Sequence, residues 1–249
     1  MPRITLPDGS TRDYDNQTTP GDVAADIGPG LAKAALGAKI NGTLCDLSTP
    51  IDSDVELALV TAKNRAGEID EDALFLLRHS CAHVMAEAIT NLFPGTQLVY
   101  GPPVENGFYY DMAFTDGAGV SSDDFEKIEA EMTRIVNEDR AFCRYEMPLD
   151  TGMAKLRDEG SKYKVDNAER AAAAGSDSLS FYATGEPGKA WEDLCRGPHV
   201  PSTGRIGAFK IMSLASSYWH GDEKIRPPDT RVRHCLCRQK TTQGAHGTP

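Results

Sequence analysis

Two short segments of this chain concentrate side chains that can do chemistry. The first is His79-Ser80-Cys81-Ala82-His83. Histidines four apart in a helix share one face, with Cβ atoms roughly 6 Å apart. Their small neighbours, Ala82 and Ala86, leave room beside them for a ligand. The second is Asp193-Leu194-Cys195-Arg196-Gly197-Pro198-His199. Gly-Pro imposes a turn, so Cys195 and His199 can converge on one point without lying in a helix. Taken alone, each segment has a plainer explanation: a pair of exposed or core histidines, and a surface turn with an incidental thiol. Together they hold three of the six histidines in the chain, which favours one shared site.

Three imidazoles and a thiol admit two chemistries. His79, His83, Cys195 and His199 are a four-ligand set suited to zinc. They equally suit a metal-free polar pocket. There, histidines near their ordinary pKa of about 6.5 orient a water and hydroxyl groups. Spacing alone leaves both open.

The elements that must position these groups can be read from pattern. Asp70, Glu71 and Asp72 crowd the first turn of a helix, where negative charge suits the dipole. Leu77, Cys81, Met85, Ala88 and Leu92 give it a buried stripe, away from the two histidines, and Pro94-Gly95 stops it. Val99–Asp111 reads as strand, turn and strand. A second amphipathic helix follows Ser122, with Phe125, Ile128, Met132 and Ile135 as core positions. Short helices are expected near 150–158 and 167–174, and strands near 178–183 and 206–214.

Residues 1–63 read as a small separate unit. Pro7-Asp8-Gly9-Ser10 turns one hairpin, and Asn41-Gly42 turns a second. Between them, Thr19-Pro20-Gly21-Asp22 opens a short helix with a cap, a proline and an acid. Val55–Val60 makes a last strand. Two hairpins around a helix predict a ubiquitin-like β-grasp. Residues 64–69 are the linker, and 70–224 form an α+β domain with an antiparallel sheet packed on helices. Residues 225–249 carry Pro227-Pro228 and five basic side chains against one acid, with little apolar periodicity. This composition predicts disorder. His234-Cys235-Leu236-Cys237 lacks the second cluster that a zinc site needs.

Composition excludes several classes. No apolar run approaches the ~20 residues of a membrane span, and Met1-Pro2-Arg3-Ile4 is no secretory signal. Six scattered cysteines do not form a disulfide framework, so a cytoplasmic location with reduced thiols is expected. A net charge of -11 disfavours broad nucleic-acid binding but leaves room for a local site for one RNA end.

The paired His-x-x-x-His and Cys-x-x-x-His motifs resemble the editing domain of threonyl- and alanyl-tRNA synthetases. The start, Met1–Ser10, and Asp26–Ala34 resemble the TGS domain of the bacterial threonyl type. Arg78–His83, Gly107–Asp111, Tyr163-Lys164-Val165 and Asp193–Val200 resemble its editing domain. Tyr218-Trp219 with Gly221-Asp222 resembles the segment leading into the aminoacylation body. Alanyl-type editors usually carry Gly-Gly-Thr before the last histidine, where this chain has Arg196-Gly197-Pro198.

The resemblance implies hydrolysis of mischarged seryl-tRNA(Thr) at the acceptor end, with no cofactor. One methyl group separates serine from threonine and gives a synthesis site only ~1–3 kcal/mol of discrimination. It implies that His79, His83, Cys195 and His199 line the pocket. His79 would contact the ribose hydroxyl and position water. Lys164 would act near the ester, and Tyr110 and Asp193 would hold the substrate. Three further readings stay open: a zinc-dependent alanyl-type editor, an inactive fragment, and an RNA-contact module. A full-length synthetase is a possible partner. After Lys224 the family pattern stops, which suggests a frame shift or truncation, and His220 stands where the family usually has arginine.

Overall fold

A computed structural model describes residues 1–64, 66–114, 119–217 and 231–237. The protein is an α+β molecule. The N-terminal hairpin is β1 (Arg3–Thr5) and β2 (Thr11–Asp13), followed by α1 (Pro20–Ile27). Thr19 and Asp22 cap α1 reciprocally: each side chain accepts from the other's backbone N–H. A six-residue helix, α2 (Pro29–Ala34), is an element that the sequence reading did not contain. The second hairpin is β3 (Ala35–Ile40) and β4 (Thr43–Cys45), and β5 (Val55–Thr61) closes the sheet. Asn41 and Gly42 both have positive φ, as a two-residue hairpin turn demands. The order β2-β1-β5-β3-β4, with β1 parallel to β5, is the expected β-grasp.

This unit is less separate than its sequence suggests. Leu36 and Val60 belong to the same buried cluster as Leu76 and Met85 of α3 (Glu71–Leu92). The linker is a tight return, not a spacer. Lys63 and Ile69 form a bridge, and the Asn64 side chain accepts from the N–H groups of Ala66 and Glu68.

Beyond α3, β6 (Gln97–Tyr100), β7 (Pro103–Val104), β8 (Gly107–Phe108) and β9 (Asp111–Phe114) begin the second sheet. Then come α4 (Phe125–Asn137), β10 (Phe142–Pro148), α5 (Leu149–Asp158) and α6 (Lys162–Ala173). In α4 the expected Ile128, Met132 and Ile135 are fully buried, and Phe125 packs partly against them. β11 (Ser178–Thr184) and β12 (Glu192–Leu194) join β10 in an antiparallel three-stranded sheet. β13 (Ile211–Ser217) ends this stretch.

The composition of residues 225–249 predicts disorder, but Arg231–Cys237 is a strand, β14. It pairs antiparallel with β13, β9 and β8. Those strands offer unpaired backbone N–H and C=O groups, and a chain segment that satisfies them gains a ladder whatever its composition. The segment from Tyr218 to Asp222, including His220, lies outside the described residues.

Candidate active site

Helix α3 carries the first pair of histidines into the interior. The Asp70 side chain caps it by accepting from the N–H groups of Asp72 and Ala73. Every residue from Ser80 to Ile89 is buried. The helix is thus enclosed all round there, rather than along the single stripe its spacing suggests. Leu76, not Leu77, is its fully buried leucine. His83 is buried and His79 partly so.

The second group arrives on the sheet. Tyr182 of β11 pairs in register with Asp193 of β12. The Cys195 N–H donates to the Ser180 carbonyl at 3.0 Å and extends that ladder. Gly197, at φ 71°, and the cis Gly197–Pro198 bond then turn the chain, and His199 is buried behind them.

The two segments meet. His79 Nε2 lies 3.3 Å from Cys195 Sγ, and His199 Nε2 lies 3.5 Å from it. The rings of His79 and His199 stack at 4.2 Å, and His83 meets His199 edge-on at 4.3 Å. Phe142 and Tyr182 close the remaining sides of His199, at 4.9 and 4.5 Å. Ser80, inside the first motif, hydrogen-bonds His199 Nδ1 at 3.1 Å and accepts from the Val200 N–H at 3.0 Å. His79 Nδ1 sits 3.1 Å from the Pro198 carbonyl. A carbonyl only accepts, so Nδ1 carries the proton and Nε2 presents its lone pair to the thiol.

A buried charged cluster adjoins these rings. Lys164 lies in the first turn of α6, which starts five residues earlier than its alanine run suggests. Its ammonium is 2.8 Å from Asp193 Oδ1 and 3.1 Å from the Tyr110 hydroxyl. Tyr110 in turn donates to Asp193. His83 Nε2, 3.9 Å from Asp193 Oδ2, joins the two clusters. Lys164 is therefore not a solvated lysine.

Electrostatics follow from enclosure. Burial takes His79 down to about 4 and His83 down to about 3, and it holds His199 well below its ordinary value. Burial also pushes the Cys195 thiol up to about 12. For Asp193, burial acts upward, but Lys164 and then His83 outweigh it and keep the carboxyl below the usual carboxylate range. At neutral pH the site thus holds three neutral imidazoles and a protonated thiol beside an ion pair.

The donor set fits zinc. One ligand atom from each of His79, His83, Cys195 and His199 lies within 4.8 Å of all the others. Zinc bonds of about 2.0–2.3 Å in a tetrahedron put ligand atoms about 3.3–3.8 Å apart. His83 Nδ1 is buried without a hydrogen-bond partner among the described residues, so that nitrogen is not committed to another group. The Pro198 carbonyl on His79 and the hydroxyl on His199 are the outer contacts that a ligating imidazole usually has.

Two family models match this chain. One is the TGS domain, over residues 2–61. The other is the threonyl and alanyl tRNA synthetase second additional domain, over residues 179–227, which contains Asp193, Cys195 and His199. Relatives matched over most of this chain agree. A threonine–tRNA ligase of Paramagnetospirillum magneticum is 49% identical over 226 residues, 90% of this chain and 33% of that protein. One of Thiobacillus denitrificans is 47% identical over 225 residues, with the same coverage. By sequence, nearly all of the chain is similar to the N-terminal region of threonine–tRNA ligases. It spans about a third of the length of the ligases it matches.

Sequence reasoning missed three residues of the site: Ser80, Tyr182 and Asp46. Ser80 was legible, as the only hydroxyl between the two histidines of the first motif. Tyr182 and Asp46 had no local signal. Gly197 is also constrained. A Cβ there would lie 1.9 Å from the Tyr182 hydroxyl oxygen and 2.4 Å from its ring, on a left-handed backbone. Gly197→Ala is expected to cost about 2–4 kcal/mol. A urea unfolding midpoint equal to that of the unmodified protein would show that the turn is not packed this way. Among the described residues, no helix is long and apolar enough to cross a membrane.

Proposed function

We propose that this chain, acting in the cytoplasm, hydrolyses the ester of seryl-tRNA(Thr). Residues 1–63 would serve as the β-grasp unit, 64–69 as the linker and 70–224 as the editing domain. The observation that carries this reading is the convergence of His79, His83, Cys195 and His199 beside Lys164, Asp193 and Tyr110. Water attacks the serine carbonyl carbon, the bond from that carbon to the ribose oxygen breaks, and serine and a free ribose hydroxyl leave. A histidine near 4 is a weak base at neutral pH, since general-base efficiency is best near the working pH. His79 therefore acts mainly by contacting the ribose hydroxyl through Nε2, the nitrogen that faces the Cys195 thiol, and so helps to position the water. Lys164, fixed by Asp193, faces the charge that develops on the carbonyl oxygen. Tyr110 and Asp193 hold the serine amino and hydroxyl groups.

The zinc reading rests on the donor spacing described above. In it His79, His83, Cys195 and His199 would hold the ion, and the ion would supply Lewis acidity to the ester. The test is serine and threonine release from the two charged forms of the threonine tRNA, side by side, with and without chelator. Release of serine but not threonine, unchanged by chelator, is expected. Release of both, or of neither, would overturn the editing proposal. Loss of activity with chelator and near-stoichiometric metal would replace the metal-free reading with the zinc one.

A further inference from the structure

The N-terminal β-grasp unit reaches into the site through Asp46. Asp46 follows β4 and is buried. Its Oδ1 accepts from the backbone N–H of His199 at 2.8 Å, across 153 residues of chain. Its Oδ2 accepts from the Tyr182 hydroxyl at 2.6 Å. Both bonds are buried, where a charge-assisted hydrogen bond is stronger and its loss leaves a donor unsatisfied. The Tyr182 ring packs under Gly197 and against His199, so the two bonds hold the same turn from behind. That turn presents the Pro198 carbonyl that fixes the His79 ring, and it carries His199 itself.

We propose that Asp46 is a positioning residue, through which the β-grasp unit sets the placement of His199 and the orientation of His79. The carboxylate touches no reacting atom. It acts on the turn, and through the turn on the two imidazoles. On this view the N-terminal unit is part of the working site and not an appendage. The activity arm of the test rests on the deacylase reading, but the spectroscopic arm does not.

The full chain is compared with Asp46→Ala and Asp46→Asn. Asparagine keeps an acceptor for the His199 N–H and a polar partner for the Tyr182 hydroxyl, whereas alanine keeps neither. Asp46→Ala is expected to lower kcat for serine release by up to about 100-fold with KM little changed, since small misplacements of a catalytic group have effects of that size. Asp46→Asn is expected to restore most of the loss. In the histidine ring NMR spectrum, Asp46→Ala should shift the His199 and His79 resonances, and Asp46→Asn should leave them near those of the unmodified protein. If the unmodified chain releases no serine, the deacylase reading fails and the ring spectra alone decide the positioning role. Unchanged ring spectra in a folded Asp46→Ala protein would overturn the proposal. If the alanine variant does not fold, Tyr182→Phe decides instead. It removes only the hydroxyl that holds Oδ2, and identical His199 resonances in that variant would overturn the proposal.

Discussion

Lys164→Met is expected to destabilise the protein by about 3–5 kcal/mol and to abolish measurable serine release. Methionine keeps most of the length and volume of lysine but no charge. The ammonium it removes is buried, 2.8 Å from an equally buried Asp193 carboxylate. Breaking one side of such a pair leaves an uncompensated charge in a medium that solvates it badly. The remaining carboxyl also loses its largest downward influence, so burial should drive it to take up a proton. Tyr110 and His83, which both face Asp193, then meet a neutral acid. The pair acts as one unit, so Lys164→Met with Asp193→Asn should cost clearly less than the sum of the single changes. Urea unfolding of the three variants measures this. A single-variant loss under about 1 kcal/mol would mean that the pair is solvated rather than enclosed.

The second large effect is on stability at mildly acid pH. His79, His83 and His199 all have folded-state pKa values below the unfolded value of about 6.5, the first two near 4 and 3. Above pH 7 all three are neutral in both states, and nothing is lost. Between about 6.5 and 4 the unfolded chain takes up protons that the folded site refuses. Stability therefore falls as pH falls through that window. His83 and His199, fully enclosed, should each remove up to about 1.4 kcal/mol per pH unit. His79, partly exposed, removes less. With chelator present, the urea midpoint should drop steeply below pH 6.5, and His83→Gln should flatten the slope by about a third to a half. A midpoint constant from pH 7 to pH 5 would show that the imidazoles are not buried together.

What the sequence disclosed was local. The Thr19–Asp22 cap, the Asn41-Gly42 turn and the Ile128/Met132/Ile135 stripe each rest on contacts within a few residues, and each stands in the structure. The meeting of the 79–83 and 195–199 segments did not follow from spacing. It came from resemblance to a family, because nothing local ties residues 116 apart. Asp46 shows the limit most clearly. In sequence it is one more acid after a hairpin, and only the packing of the Gly197–His199 turn against the N-terminal unit gives it a partner 153 residues away. The enclosed middle of α3 was hidden for another reason. Its buried face includes Ser80, His83 and Glu87, polar residues that periodicity assigns to solvent. Lys164 reads as surface by type, and only the buried Asp193 explains its place. The strand Arg231–Cys237 was missed because its pairing depends on edges supplied by distant strands.

Serine release from seryl-tRNA(Thr) by the full chain at neutral pH, set against His79→Ala under the same conditions, measures most directly whether the shared histidine–cysteine cavity is what breaks the ester. Losing the side chain that holds water and ribose hydroxyl is expected to slow release by about 100-fold or more. Equal rates for the two proteins would contradict the assignment of this cavity as the place where the ester is cleaved.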